Sequence, residues 1–171
     1  MASCRGGCET GNREAASLRT VDQLAGFYFD HLPGIVKTRQ IDASFIRRHF
    51  ATERGTGDDF VANYRQGAVV VSETKETKLA NVPAVYISGN SRCVLVFDDG
   101  KTHRVFVRDG SVIEVHTKNG SRVLVSAYDD AEIISDTVGN AKTGVVLHGN
   151  KATHTIKNHG ENKPSTKIKK Y

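Results

Sequence analysis

Residues 91–130 read SRCVLVFDDG, KTHRVFVRDG, SVIEVHTKNG and SRVLVSAYDD, four blocks of ten that each close on Asp-Gly, Asn-Gly or Asp-Asp. The same spacing extends outward, to NVPAVYISGN at 81–90 and to AEIISDTVGN, AKTGVVLHGN and KATHTIKNHG at 131–160. Asp-Gly and Asn-Gly supply the positive φ values of type I′ hairpin turns, and Gly-Asn suits type II′. Eight residues between turns make strands of about 27 Å at ~3.4 Å per residue. The blocks therefore predict an antiparallel β-meander over 68–158, with about seven to nine short strands joined by two-residue turns. Ala68–Val71 opens it, SETKETK at 72–78 reads as a loop or exposed edge, and 131–140 reads either as a strand or as a short helix.

Hairpin pairing sets 98 opposite 101 and 108 opposite 111, which sorts the side chains into two apolar faces. One gathers Val94, Val96, Val105, Val107, Val112, Val123, Val125 and Ile134. The other gathers Cys93, Leu95, Phe97, Phe106, Ile113, Val115, Leu124 and Ile133. Helices can cover one face. The second then calls for a protein partner or a second copy, with Cys93, Leu95, Phe97, Phe106, Ile113, Val115 and Leu124 as the candidate contact residues. The same register places His103 opposite His116. Two histidines fall short of the four ligands of a zinc site, so no metal and no cofactor is expected.

Before the meander the period is helical. Thr20-Val-Asp-Gln23 has capping-box form, and Val21, Leu24, Ala25, Tyr28, Leu32 and Val36 follow near one face. Pro33-Gly34 predicts a kink or an end. A second helix is predicted over 43–51 behind Asp42, and a third turn over 58–64. The fold class expected is thus α+β: one domain over 17–158, its helices at about 20–65 packed on the meander. Residues 1–16 read as a disordered N-terminus and 159–171 as a basic flexible tail.

The 171 residues carry a net charge of +5 and are 38% hydrophobic, with no Trp. Six lysines against Glu161 between Lys151 and Tyr171 account for the whole +5, and the 18 basic and 18 acidic side chains before them cancel. Lys163, Lys167, Lys169 and Lys170 are therefore candidate polyanion-binding residues, acting through salt-sensitive attraction. No apolar run approaches the roughly 20 residues that span a bilayer, so no membrane insertion is expected. The opening residues lack a secretory signal pattern. Cys4, Cys8 and Cys93 are an odd, sparse set suited to a reducing compartment. A cytoplasmic or cytoskeletal location is expected.

The stretch 91–128 resembles the meander of polo-box domains through Phe97, Asp98, Asp99, Gly100, Asp109, Gly110, Asn119 and Gly120. Its serial Asp-Gly and Asn-Gly turns also resemble the G-box sheet of centriolar assembly proteins. The resemblance implies a non-catalytic module for dimerisation or peptide binding in a centriolar or flagellar assembly. It departs from polo boxes in having its helices before the strands and a Lys-rich segment after them.

No phosphate-binding loop, nucleophile elbow or zinc-binding helix motif is present in the sequence, and the aspartates cluster in turns. The expectation is a non-catalytic interaction or scaffold module. A nucleic-acid-associated protein acting through its tail is the first alternative. The second is a cone of the nuclear-transport-factor type that binds a partner or small molecule.

Overall fold

The β-turns form where the Asp-Gly and Asn-Gly pairs place them, but the strands they join do not pair with each other. The computed structural model describes residues 17–37, 42–49 and 59–170; the N-terminal stretch 1–16, with Cys4 and Cys8, lies outside them. Ser121 N donates to Lys118 O (2.9 Å) and Ser111 N to Arg108 O (3.3 Å), closing two-residue turns over Asn119-Gly120 and Asp109-Gly110. Asn119 and Gly120 both have positive φ, at 51° and 74°. A hairpin continued from this turn pairs His116 with Val123. Instead His116 faces Val96 and Asp136, and Val123 faces His103 and Thr143.

Successive strands thus alternate between two sheets. Sheet A has the order β1 (Asp59–Tyr64), β2 (Gly67–Ser72), β4 (Ala84–Ile87), β6 (Thr102–Val107), β8 (Arg122–Tyr128), β10 (Lys142–His148) and β12 (Ser165–Lys169). Sheet B runs β11 (Thr153–Asn158), β9 (Glu132–Thr137), β7 (Val112–Thr117), β5 (Arg92–Phe97) and β3 (Glu76–Ala80). Among the described residues the pairings are parallel except β1 with β2. The architecture is a parallel β-solenoid, and it overturns the antiparallel meander and the α+β class. It equally replaces the α+β cone. Residues 59–64, expected as a helical turn, form β1, and 132–137 form a strand. Ser165–Lys169, expected within a flexible tail, forms β12.

Each coil takes about twenty residues, so the interior is built from columns of equivalent positions. Cys93, Ile113 and Ile133 make one column, Leu95, Val115 and Ser135 the next, and Phe97, Thr117 and Thr137 a third. Across the core stand Val105, Val125 and Val145. All of these are buried. The residue after five of the corners is small and buried (Ser91, Ser111, Ser121, Ala131 and Ala141), because there the chain crosses from one sheet to the other with room for little beyond Cβ; Lys101 and Lys151, after two other corners, are exposed. The serines also bridge coils: Ser72 N donates to Ser91 Oγ (2.8 Å) and Ser91 N to Ser111 Oγ (3.2 Å).

Among the described residues, two helices lie on the outside of sheet A. In α1 (Val21–Lys37) the box closes as expected: Gln23 N donates to Thr20 Oγ1, and Thr20 N to Gln23 Oε1, each at 3.2 Å. The helix runs through Pro33 rather than ending there, since Pro33 sits on the solvent side while Phe29, Leu32 and Val36 stay buried. Ile46 of α2 (Ala43–His49) joins them against Val71, Ala84, Tyr86, Phe106 and Tyr128. Arg108, 4% exposed, ties helix to solenoid. Its Nε and Nη2 donate to Asp129 Oδ2 (2.9 and 2.8 Å) and its Nη1 to the Val36 carbonyl (2.8 Å). Arg108→Met is expected to cost about 3 kcal/mol, the low end for breaking a buried pair, because Asp129 keeps some contact with water. Chemical denaturation measures it.

At the C-terminal end the interior turns polar. Thr143 Oγ1 donates to Thr117 Oγ1 (2.9 Å) and lies 2.8 Å from Thr137 Oγ1. His154 bridges Ser135 Oγ (2.8 Å from Nε2) and Thr166 Oγ1 (2.7 Å from Nδ1). Burial lowers the His154 pKa below its ordinary value, so below about pH 6.5 the unfolded chain binds the proton more readily than the native one. Stability is then full above about pH 6.5 and falls as the pH drops through that value toward the depressed native pKa. Thermal melts from pH 5 to 8 are expected to show this loss, and His154→Gln to flatten it.

Candidate polyanion-binding face

The helices cover sheet A's outer face from β1 to β6, where Tyr86 and Phe106 are buried, and the Tyr128 end of β8. Beyond them the outward positions of β6, β8, β10 and β12 are open, with Arg104, Arg122, Lys142, Lys167 and Lys169 among them. Thr102, Arg122 and Lys142 form one in-register column. Arg104, Leu124, Gly144 and Ser165 form the next, and Val146 and Lys167 belong to a third. Arg104, Arg122, Lys142, Lys163, Lys167 and Lys169 are all exposed. Neighbouring strands lie about 4.8 Å apart, so the Arg122 and Lys142 side chains are stacked like charges, an unfavourable arrangement without an anion between them.

The segment before β12 turns part of this surface into a groove of about 500 Å³, lined by Arg122, Lys142 and Lys163 with Thr102, Leu124 and Ser165; Glu161 is its carboxylate. Glu161 N donates to Gly139 O (3.0 Å) and Asn162 Nδ2 to Asn140 O (3.2 Å), pinning the wall to the corner below. A Cβ on Gly160 meets the Gly139 backbone at 2.4 Å, so only glycine allows this approach. Leu124, 47% exposed, gives the groove an apolar floor.

The acids lie elsewhere. On the outer face of sheet B, Lys157 Nζ donates to Glu114 Oε1 (2.9 Å), and His116 lies between Glu114 Oε1 (3.3 Å) and Asp136 Oδ2 (3.1 Å).

Of the residues expected to meet a partner, Cys93, Leu95, Phe97, Ile113 and Val115 line the solenoid interior. Phe106 lies under the helices, and Leu124 is the exposed one. The hairpin register put them on one surface, whereas sheet-to-sheet folding fills that surface from within the chain. His103 and His116 do not face each other: His103 is buried, with Nδ1 2.9 Å from Val82 O and Nε2 2.8 Å from Asp99 Oδ1, while His116 is on the outside of the other sheet. Of the lysines expected to bind polyanions, Lys163 walls the groove, Lys167 and Lys169 are on β12, and Lys170 follows it, exposed. Arg104, Arg122 and Lys142 were missed. Taken every twenty residues, the second position of each block reads Thr102, Arg122, Lys142 on one sheet and Arg92, Val112, Glu132 on the other, which brings Arg122 and Lys142 side by side while the other row carries both signs.

Among the described residues no helix is long and apolar enough to cross a membrane. No family model, curated protein or solved structure matches the chain.

Burial pushes the Cys93 thiol up to about 12, leaving about one thiolate in ten thousand at pH 8. Peptide mapping after iodoacetamide treatment at pH 8 is expected to find Cys93 unmodified in native protein and alkylated in denaturant; rapid native labelling contradicts its place inside the coil.

Proposed function

We propose that the chain is a non-catalytic scaffold module that binds a nucleic-acid backbone on the open part of sheet A. The observation that carries this reading is the exposed pair Arg122 and Lys142, in register on adjacent strands, with Lys163 closing a groove beside them. The attraction is to phosphates and therefore independent of base sequence. The apolar floor at Leu124 suits a nucleobase better than a sulfated sugar. Solenoid strands hold the cations at fixed spacing, so binding costs little side-chain ordering beyond the cations themselves.

Affinity for a fluorescent single-stranded oligonucleotide, measured against salt, tests this. Each phosphate contact contributes about 0.7 to the log–log slope. Lys142→Gln is expected to lower the slope by about that amount, and the combined Arg122→Glu, Lys142→Glu and Lys163→Glu substitutions to remove binding. Wild-type affinity in the triple variant sinks the reading. Tight heparin binding with no oligonucleotide binding reassigns the face to sulfated glycans.

A further inference from the structure

Positive charge also converges at the helix side of the same face. His148 is the Cα partner of Tyr128 on β8 and of Lys169 on β12. Its imidazole lies flat on the Tyr128 ring, 4.1 Å between centroids and 6° between planes. The Arg108 guanidinium stands 5.8 Å over that ring and takes the Asp129 carboxylate. Lys37 at the end of α1 and Lys169 both act on His148 electrostatically, and both are exposed. The charged groups acting on His148 are Lys37 from the helix and Lys169 from the last strand, while Arg108, over its stacking partner Tyr128, holds Asp129. Two lysines held near one stacked imidazole repel any charge it takes up, and a bound anion reverses that relation.

Resting on the reading of this face as a nucleic-acid surface, we propose that Lys37, His148 and Lys169 form an anion subsite that takes one phosphate of the bound strand and draws a proton from solvent onto His148. The stack on Tyr128 positions the imidazole of this subsite. In the absence of the anion, burial first, and then Lys169 and Lys37, lower the His148 pKa below its ordinary value. An anion between the lysines cancels their contribution and moves the midpoint up. Binding is then tighter at low pH, and by linkage it is accompanied by proton uptake.

The experiment is a pH titration of the His148 ring resonance by NMR in the full chain, from pH 5 to 8. It is run in chloride, then in sulfate at matched ionic strength (sulfate is a dianion throughout this range), then with a single-stranded oligonucleotide. Sulfate and oligonucleotide are expected to raise the His148 midpoint. In the Lys37→Gln, Lys169→Gln double variant the midpoint starts higher and responds to neither. Oligonucleotide affinity is expected to be about fivefold tighter at pH 5.5 than at pH 8, an ordinary linkage coupling, and His148→Gln to abolish that difference. A midpoint indifferent to both anions, or an unchanged pH dependence in His148→Gln, overturns the subsite. If binding is pH-independent yet lost on reversing Arg122, Lys142 and Lys163, the subsite fails while the nucleic-acid reading stands. A sulfate response with no oligonucleotide binding overturns the proposal as stated, because the occupant is then a free anion.

Discussion

Parallel, in-register stacking at about twenty residues governs the rest of this structure. A residue in the middle coils stands on its own equivalent from the coil before and beneath its equivalent from the coil after, as Ile113 does between Cys93 and Ile133. The backbone ladder fixes the spacing at about 4.8 Å, so any property carried at one position is repeated along the axis. Apolar positions become continuous interior columns. Small residues after the corners become serine and alanine files. A charge at an outward position becomes a row.

That constraint explains why most of the interior is filled by repeated mid-sized aliphatic residues, with Phe97 as the large one. Two sheets face each other across one layer of side chains, and Leu95, Ile113, Val105 and Val125 fill it with little exposure. Toward the C-terminal end, Ser135, Thr137 and Thr143 replace them, and their hydroxyls satisfy one another and His154. A polar end of this kind tolerates water where the stack stops. The lysines of β12 have the same sense, since charged edge strands resist pairing with another chain.

Much of the local structure is legible in the sequence. The corners fall at the predicted Asp-Gly, Asn-Gly and Gly-Asn pairs, and the Thr20–Gln23 box forms. What is not legible from turn chemistry is the pairing partner, because a tight turn closes in the same way whether the next strand folds back beside the last or crosses to another sheet. The discriminating signal is parity. In a ten-residue hairpin repeat the buried face alternates between odd and even positions. Here 93, 95 and 97, 103, 105 and 107, 113 and 115, and 123, 125 and 127 are all inward, while Arg92, Arg104, Glu114, Arg122 and Glu132 all sit at even numbers. The small residue after most corners (Ser91, Ser111, Ser121, Ala131 and Ala141) is a second signal, since a hairpin has no need of it. The basic face was illegible for the same reason: charges summed along the chain cancel before Lys151, and only sorting them by sheet brings Arg122 and Lys142 together.

Stacked cations are where the solenoid's economy runs against electrostatics. Asparagine or threonine at 122 and 142 satisfies an outward β-position with no repulsion, and the corners show that this chain builds such polar files readily. Arg122 and Lys142 instead face one another across a single strand spacing, with Lys163 brought to the same groove by a segment whose approach depends on Gly160. Long side chains splay to relieve part of the repulsion, and salt screens more of it. The remainder is offset only by negative charge delivered from outside the sheet. Glu161 supplies one such charge at the rim, and it leaves the rows cationic. This unrelieved charge at Arg122, Lys142 and Lys163 is what supports the proposal of a ligand whose own negative charge repeats.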